Sequence, residues 1–133
     1  MKFIINTDGG ARGNPGPAGI GALICDEHGK TITELKQYIG IATNNVAEYK
    51  ALLMALAEAC KLGGKQLLIQ MDSELIVRQM IGQYKIKEPT LKVLAQEALL
   101  LIKNFEKVDF KHVRREYNKH ADKLVNEAID QAS

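Results

Sequence analysis

An α/β architecture, with helices covering both faces of a mixed sheet, follows from three features of this 133-residue chain. Three strand-like segments come first, joined by short connections. The apolar period then switches from alternation to helical spacing near Asn45. Beyond that point, two further apolar strands each lead into helical sequence. The order β-β-β-α-β-α-α-β-α packs naturally as one sheet between helical layers.

Each element has its own signal. Lys2 to Asp8 is an apolar strand ending on a carboxylate and followed by a run of Gly, Pro and Asn. Gly19 to Cys25 and Thr31 to Gly40 flank Asp26-Glu27-His28-Gly29-Lys30, a turn of hairpin length, so the first three strands form an antiparallel meander. From Asn45 to Leu62, Val46, Tyr49, Leu52, Leu56 and Ala59 recur at helical spacing. Asn45 and Glu48 fit the N-cap and N3 positions of a capping-box-like start, and Gly63-Gly64 fits the stop. Gln66 to Asp72 is a short strand that again ends on Asp, followed by a helix over about Ser73 to Gln83. Pro89 suits the first turn of a helix reaching about Asn104. Val108 to Val113 is the fifth strand, and Asn118 to Ala132 the last helix.

The length suits a single domain over residues 1–133, burying roughly two-thirds of its unfolded surface. With 46% apolar and 26% charged residues, the composition is that of a soluble globular protein, not a disordered one. Phe3-Ile4-Ile5 is too short for a signal peptide and Asp8 follows at once, and no apolar run approaches bilayer length. A cytoplasmic location with no membrane partner is expected. Cys25 and Cys60 are isolated, without metal-ligand spacing, and are expected to be buried free thiols. Net charge is only +2, but residues 103–123 hold seven Lys and Arg against four acids. A solvated face is the ordinary explanation; a polyanionic partner is the other.

Four acids carry the functional argument. Parallel strands ending on Asp8 and Asp72 would bring both carboxylates to one sheet edge, where ligands of open α/β sheets bind. Glu48 and Asp122 lie in the first turns of helices that would leave the same edge. Singly, each has a structural explanation: Asp72-Ser73 as a cap, Glu48 in a capping box, Asp122 as a complement to the helix dipole. Together they would repel one another unless a cation neutralised them. Oxygen donors suit Mg²⁺ or Mn²⁺ and not Zn²⁺. Two such ions about 4 Å apart are an established arrangement for in-line phosphodiester cleavage.

The sequence resembles type 1 ribonucleases H, which cut the RNA strand of RNA–DNA hybrids. The resemblance is carried by "TDGGARGNPGPAG" at Thr7 to Gly19, "TNNVAEYKAL" at Thr43 to Leu52, "MDSELIV" at Met71 to Val77 and "NKHADKLVNEA" at Asn118 to Ala128. They occur in the family's order and span nearly the whole chain. The resemblance implies a five-stranded mixed sheet in the order 3-2-1-4-5. It also implies that Asp8, Glu48, Asp72 and Asp122 bind two Mg²⁺ ions, with Mn²⁺ substituting. Gly9 and Gly10 would let substrate approach closely. Asn14, Thr43, Asn44 and Asn45 match substrate-binding positions, and Ser73 follows the third acid. The implied activity is metal-dependent endoribonuclease cleavage of RNA–DNA hybrid, leaving 3′-hydroxyl and 5′-phosphate ends, with double-stranded RNA a second candidate substrate. No obligate protein partner is evident.

The chain departs from the family's pattern in three places. Many members carry a basic, Trp-containing protrusion after the third acid. This chain has no Trp, and Gly82 to Thr90 is a short connection containing only Lys85 and Lys87. Fewer phosphate contacts imply a weaker sequence-independent grip. Glu74 stands where the family often has Gln. The loop before the fourth acid is short, and the mobile His that members often place there has no counterpart. His112 alternates with Val108 and Phe110 and is read as a strand residue, and His120 as a helix-surface residue. Arg115 is therefore expected to supply a cation near the leaving phosphate. Two other readings compete: a non-catalytic hybrid or double-stranded RNA binding module of the same fold, and a phosphatase with an Asp nucleophile. The first is disfavoured because all four acids are present. The second usually needs another acid two residues after the nucleophile, where this chain has Gly10.

Overall fold

A computed structural model describes residues 1–132. Five strands form one sheet: β1 (Lys2–Ala11), β2 (Gly16–Asp26), β3 (Thr31–Ala42), β4 (Gln66–Met71) and β5 (Lys107–His112). Their order is β3-β2-β1-β4-β5. The first three strands pair antiparallel, whereas β1 with β4 and β4 with β5 pair parallel. This is the mixed sheet expected from the element order, in the strand order that the family resemblance implies.

The helices are α1 (Asn44–Lys61), α2 (Glu74–Met80), α3 (Pro89–Ile102) and α4 (Lys119–Ala132), with a single 3-10 turn at Arg115–Tyr117 before the last. Helix α1 packs on β1 and β2 with α3 against it, and α4 packs on β2, β3 and β1. The larger core lies under α1, where Phe3, Ile5, Ile24, Leu52, Leu56, Leu67 and Ile69 are buried. Among the described residues, no helix is long and apolar enough to cross a membrane.

Several boundaries differ from expectation for identifiable reasons. β1 does not stop at Asp8. It continues through Gly9, Gly10 and Ala11, which pair with Ile20, Gly19 and Ala18 of β2. Asp8 therefore lies within a strand, and the ladder overrides the poor strand propensity of Gly-Gly. Helix α1 is capped by Thr43, whose hydroxyl accepts from the Val46 N–H at 3.2 Å, so Asn45 is a first-turn residue and not the N-cap. Helix α2 is shorter than expected and begins after Ser73, which caps it by accepting from the Ile76 N–H at 3.3 Å. Cys60 is exposed, since it follows buried Ala59 onto the outer face of α1; Cys25 is half-buried.

Candidate active site

The register between β1 and β4 builds the centre of the site. Thr7 lies opposite Met71 on parallel strands, so the next residues, Asp8 and Asp72, emerge side by side. Glu48 arrives from the other direction, past the first turn of α1 where the helix crosses β1. With Thr43 as the cap, Val46 and not Glu48 holds N3, so Glu48 closes no capping box. Asp8, Glu48 and Asp72 each place a carboxylate oxygen within 4.8 Å of the others. Asp122, near the start of α4, lines the same open cleft of about 540 Å³ but lies outside that tight group.

Burial and mutual repulsion dominate the electrostatics. The Asp8 carboxyl is pushed up to about 7, first by loss of solvent and then by the charges of Asp72 and Asp122; its hydrogen bond with Glu48 acts against the rise. Glu48 is raised well above the carboxylate range by burial, by the charge of Asp8 and by that same hydrogen bond. Burial and the neighbouring charges thus favour the protonated form of both carboxyls, as expected of close acid pairs. Asp72 is raised by desolvation, which the charge of Arg115 and a hydrogen bond from the Asn118 side chain partly offset.

These residues fit a divalent cation. The donor set is all oxygen, which suits a hard ion. The Gly9 N–H donates to Asp8 Oδ1 at 3.0 Å and to Glu48 Oε1 at 3.3 Å, orienting both carboxyls. Glu48 Oε2 is buried and has no protein donor among the described residues. A buried carboxylate oxygen without a donor is costly, and a cation would satisfy it.

The other predicted positions divide. Arg115 and Gly10 line the acidic cleft, as does Asn44. Asn44 also braces the N-terminus of α1: its Oδ1 accepts from the Ala11 N–H at 2.8 Å, and its own N–H donates to Asn14 Oδ1 at 3.1 Å. Thr43 and Ser73 serve as helix caps, and half-buried Asn45 sits in the first turn. Gly9 also lines the cleft, but it is buried with the backbone of α1 packed directly over it. The two histidines turn to acids elsewhere: His112 Nδ1 lies 3.9 Å from Glu74, and His120 Nε2 lies 3.2 Å from Glu34 on β3. Asn118, expected to open the last helix and the fourth resembling segment but given no role of its own, is buried. Its partners, Asn6 and Thr7, are more than a hundred positions away, so no local signal could have disclosed them.

Comparison with known proteins gives consistent results. A family profile described as reverse transcriptase-like matches residues 6–128. The bifunctional protein Rv2228c of Mycobacterium tuberculosis is 46% identical across the whole of this chain, which spans 37% of that protein. Ribonuclease HI of Halobacterium salinarum is 39% identical over 94% of this chain and 63% of its own length. The chain thus spans less than two-thirds of either relative. Among solved structures, LC11-RNase H1 from compost, in complex with RNA/DNA hybrid, is 52% identical. It superposes with a TM-score of 0.94 over 98% of both chains.

Proposed function

The chain belongs to the type 1 ribonuclease H family, and on that premise we propose that it hydrolyses the RNA strand of RNA–DNA hybrids with two divalent ions, leaving 3′-hydroxyl and 5′-phosphate ends. The observation that carries this reading is the convergence of buried Asp8 and Glu48 with Asp72 in a cleft that Asp122 also lines. Asp8, Glu48, Asp72 and Asp122 would hold Mg²⁺, with Mn²⁺ as a substitute. When bound, such a pair supplies an activated water and neutralises charge on the leaving oxygen.

The chain's own groups supply position and field. The Gly9 N–H holds the Asp8 and Glu48 carboxyls in place. Asn14 and Asn44, linked to each other and to β1, form a polar rim beside the cleft. Carbonyl and amide groups of this kind can both accept from and donate to ribose 2′-hydroxyls, the feature that separates RNA from DNA in a duplex groove. Thr43 and Ser73 cap the helices that follow the rim and the third acid, and Asn45 lies in the first turn of α1. The LC11 complex with RNA/DNA hybrid supports hybrid as the substrate class. The test is incubation of the pure protein with labelled RNA–DNA hybrid, RNA duplex and DNA duplex, in Mg²⁺, Mn²⁺ or chelator. Cleavage of the RNA strand of hybrid, lost with chelator, is the expected result, and the RNA duplex arm decides whether double-stranded RNA is also cut. An intact hybrid in both metals would overturn the reading.

Arg115 acts as a fixed cation beside the acids. It lines the cleft, and its charge already pulls Asp72 downward. A guanidinium remains charged far above neutrality, whereas a working His would lose its proton near pH 6.5, about its unperturbed pKa. Arg115→Ala is expected to lower turnover by at least about tenfold, with Lys recovering part of it. Alanine at His112 or His120 is expected to change cleavage little, because both side chains pair with acids on other elements. Turnover measured for the four variants at saturating metal checks this. A large loss confined to the His variants would reverse the assignment.

A further inference from the structure

Asn118 occupies the position of a capping residue: the Asp122 N–H donates to its carbonyl at 3.1 Å as α4 begins. An Asn there ordinarily turns its side-chain oxygen toward the N–H groups of its own helix. Here the residue is 1% exposed and its side chain faces inward. Its Nδ2 donates to the Thr7 carbonyl at 2.9 Å, and its Oδ1 accepts from Asn6 Nδ2 at 3.0 Å. The same side chain also acts on the Asp72 carboxyl, favouring its charged form. An amide hydrogen and the amide oxygen are thereby both used within the fold. The orientation is fixed, because reversing the amide would set its oxygen against the Thr7 carbonyl.

We propose that Asn118 is a positioning residue for the acid cluster, tying the end of β1 that carries Asp8 to the turn of α4 that carries Asp122 in one preassembled cation site. Two acid-bearing segments meet at this one residue: its side chain holds the Thr7 carbonyl, directly before Asp8, and its backbone carbonyl accepts from the Asp122 N–H, one helical turn on. Without it, mutually repelling carboxylates on separate elements would spread before a cation arrived. Residues that orient metal ligands in this way commonly contribute as much to affinity as a ligand does.

The proposal rests on the metal-dependent reading above, and its test is separable from it. Mn²⁺ binding is measured by isothermal titration calorimetry, without substrate, for the unaltered protein, Asn118→Ala, Asn118→Asp and Leu56→Ala. Asn118→Ala should weaken Mn²⁺ by about 10- to 100-fold. Asn118→Asp should weaken it at least as much, because it sets an acceptor against the Thr7 carbonyl in place of the donor. Leu56→Ala destabilises the core under α1 without touching the site, so it should lower the melting temperature and leave Mn²⁺ affinity within about twofold. A folded Asn118→Ala protein with unchanged affinity overturns the proposal, as does an equal loss in Leu56→Ala. Should Asn118→Ala fail to fold, Asn6→Ala carries the test, since it removes the donor that holds the Asn118 amide oxygen. A severalfold loss supports the proposal and unchanged affinity overturns it. Failure of the unaltered protein to bind Mn²⁺ would sink the metal-dependent reading itself.

Discussion

Asp8→Asn is expected to abolish hybrid cleavage and, in metal-free buffer above neutral pH, to make the protein more stable than its parent. Both effects have one origin. Asp8 is buried beside Glu48, near Asp72 and Asp122, and its carboxyl is held at about 7 instead of the ordinary 3.8. Folding therefore favours the protonated form. The stability this provides is fully present below the unfolded pKa of about 4 and is lost as pH rises through about 7, where the folded site must take on the charge. The loss is on the order of a few kcal/mol. With chelator, the parent should melt at progressively lower temperature between pH 5 and 8, and Asp8→Asn should show a much flatter dependence. Adding Mg²⁺ at pH 8 should restore the parent's stability and affect the variant far less, because a cation stabilises the folded state only where its ligands remain. Thermal denaturation at the two pH values, with and without metal, reads these shifts, and the hybrid assay reads activity. Substantial cleavage by the folded variant would remove Asp8 from the site.

What could be read from the sequence was local, and what could not depends on distant partners. Alternation and helical spacing located all five strands and four helices, because each signal lies within a single element. Asp8 and Asp72 could be paired because both follow apolar strand sequence, and parallel register brings them together. The helix start was misplaced because Thr43, Asn44 and Asn45 are all good capping types. Only the three-dimensional path of the chain from β3 selects Thr43. The continuation of β1 past Asp8 was hidden because Gly9-Gly10 looks like a loop; its strand state comes from Gly19 and Ile20 on the neighbouring strand. Asn118 opens the fourth resembling segment, but the only role its neighbours suggest is a helix start, which its backbone does provide. Its side chain serves β1 instead, and nothing near it in the sequence reveals that.

Gly9 and Gly10, which sequence reading grouped together as an open approach for substrate, are expected to fail in opposite ways when given a side chain. A Cβ at Gly9 would lie 2.3 Å from the Ala47 carbonyl carbon and 2.6 Å from the Glu48 nitrogen. Both are backbone atoms of α1 and cannot swing aside, so the helix must move off β1. That movement would carry Glu48 away from the Gly9 N–H and from Asp8. Gly9→Ala should therefore cost at least about 3 kcal/mol, lower the melting temperature by roughly 10 °C or more, and weaken Mn²⁺ binding at the same time. At Gly10 the nearest atoms to a new Cβ are Asn44 Oδ1 and Val125 Cγ1, each 3.9 Å away, which is ordinary contact. Gly10→Ala should fold normally, gaining slightly from the reduced freedom of its unfolded chain. Its methyl group would rise from the floor of the cleft that Gly10 lines, so KM for hybrid should increase severalfold while Mn²⁺ affinity stays unchanged. Melting curves, metal titration and hybrid kinetics on the two variants separate the roles. A Gly9→Ala protein that melts like its parent would show that the approach of α1 to β1 is not constrained at this point. A Gly10→Ala protein with unchanged KM would show that substrate does not come close to the strand there.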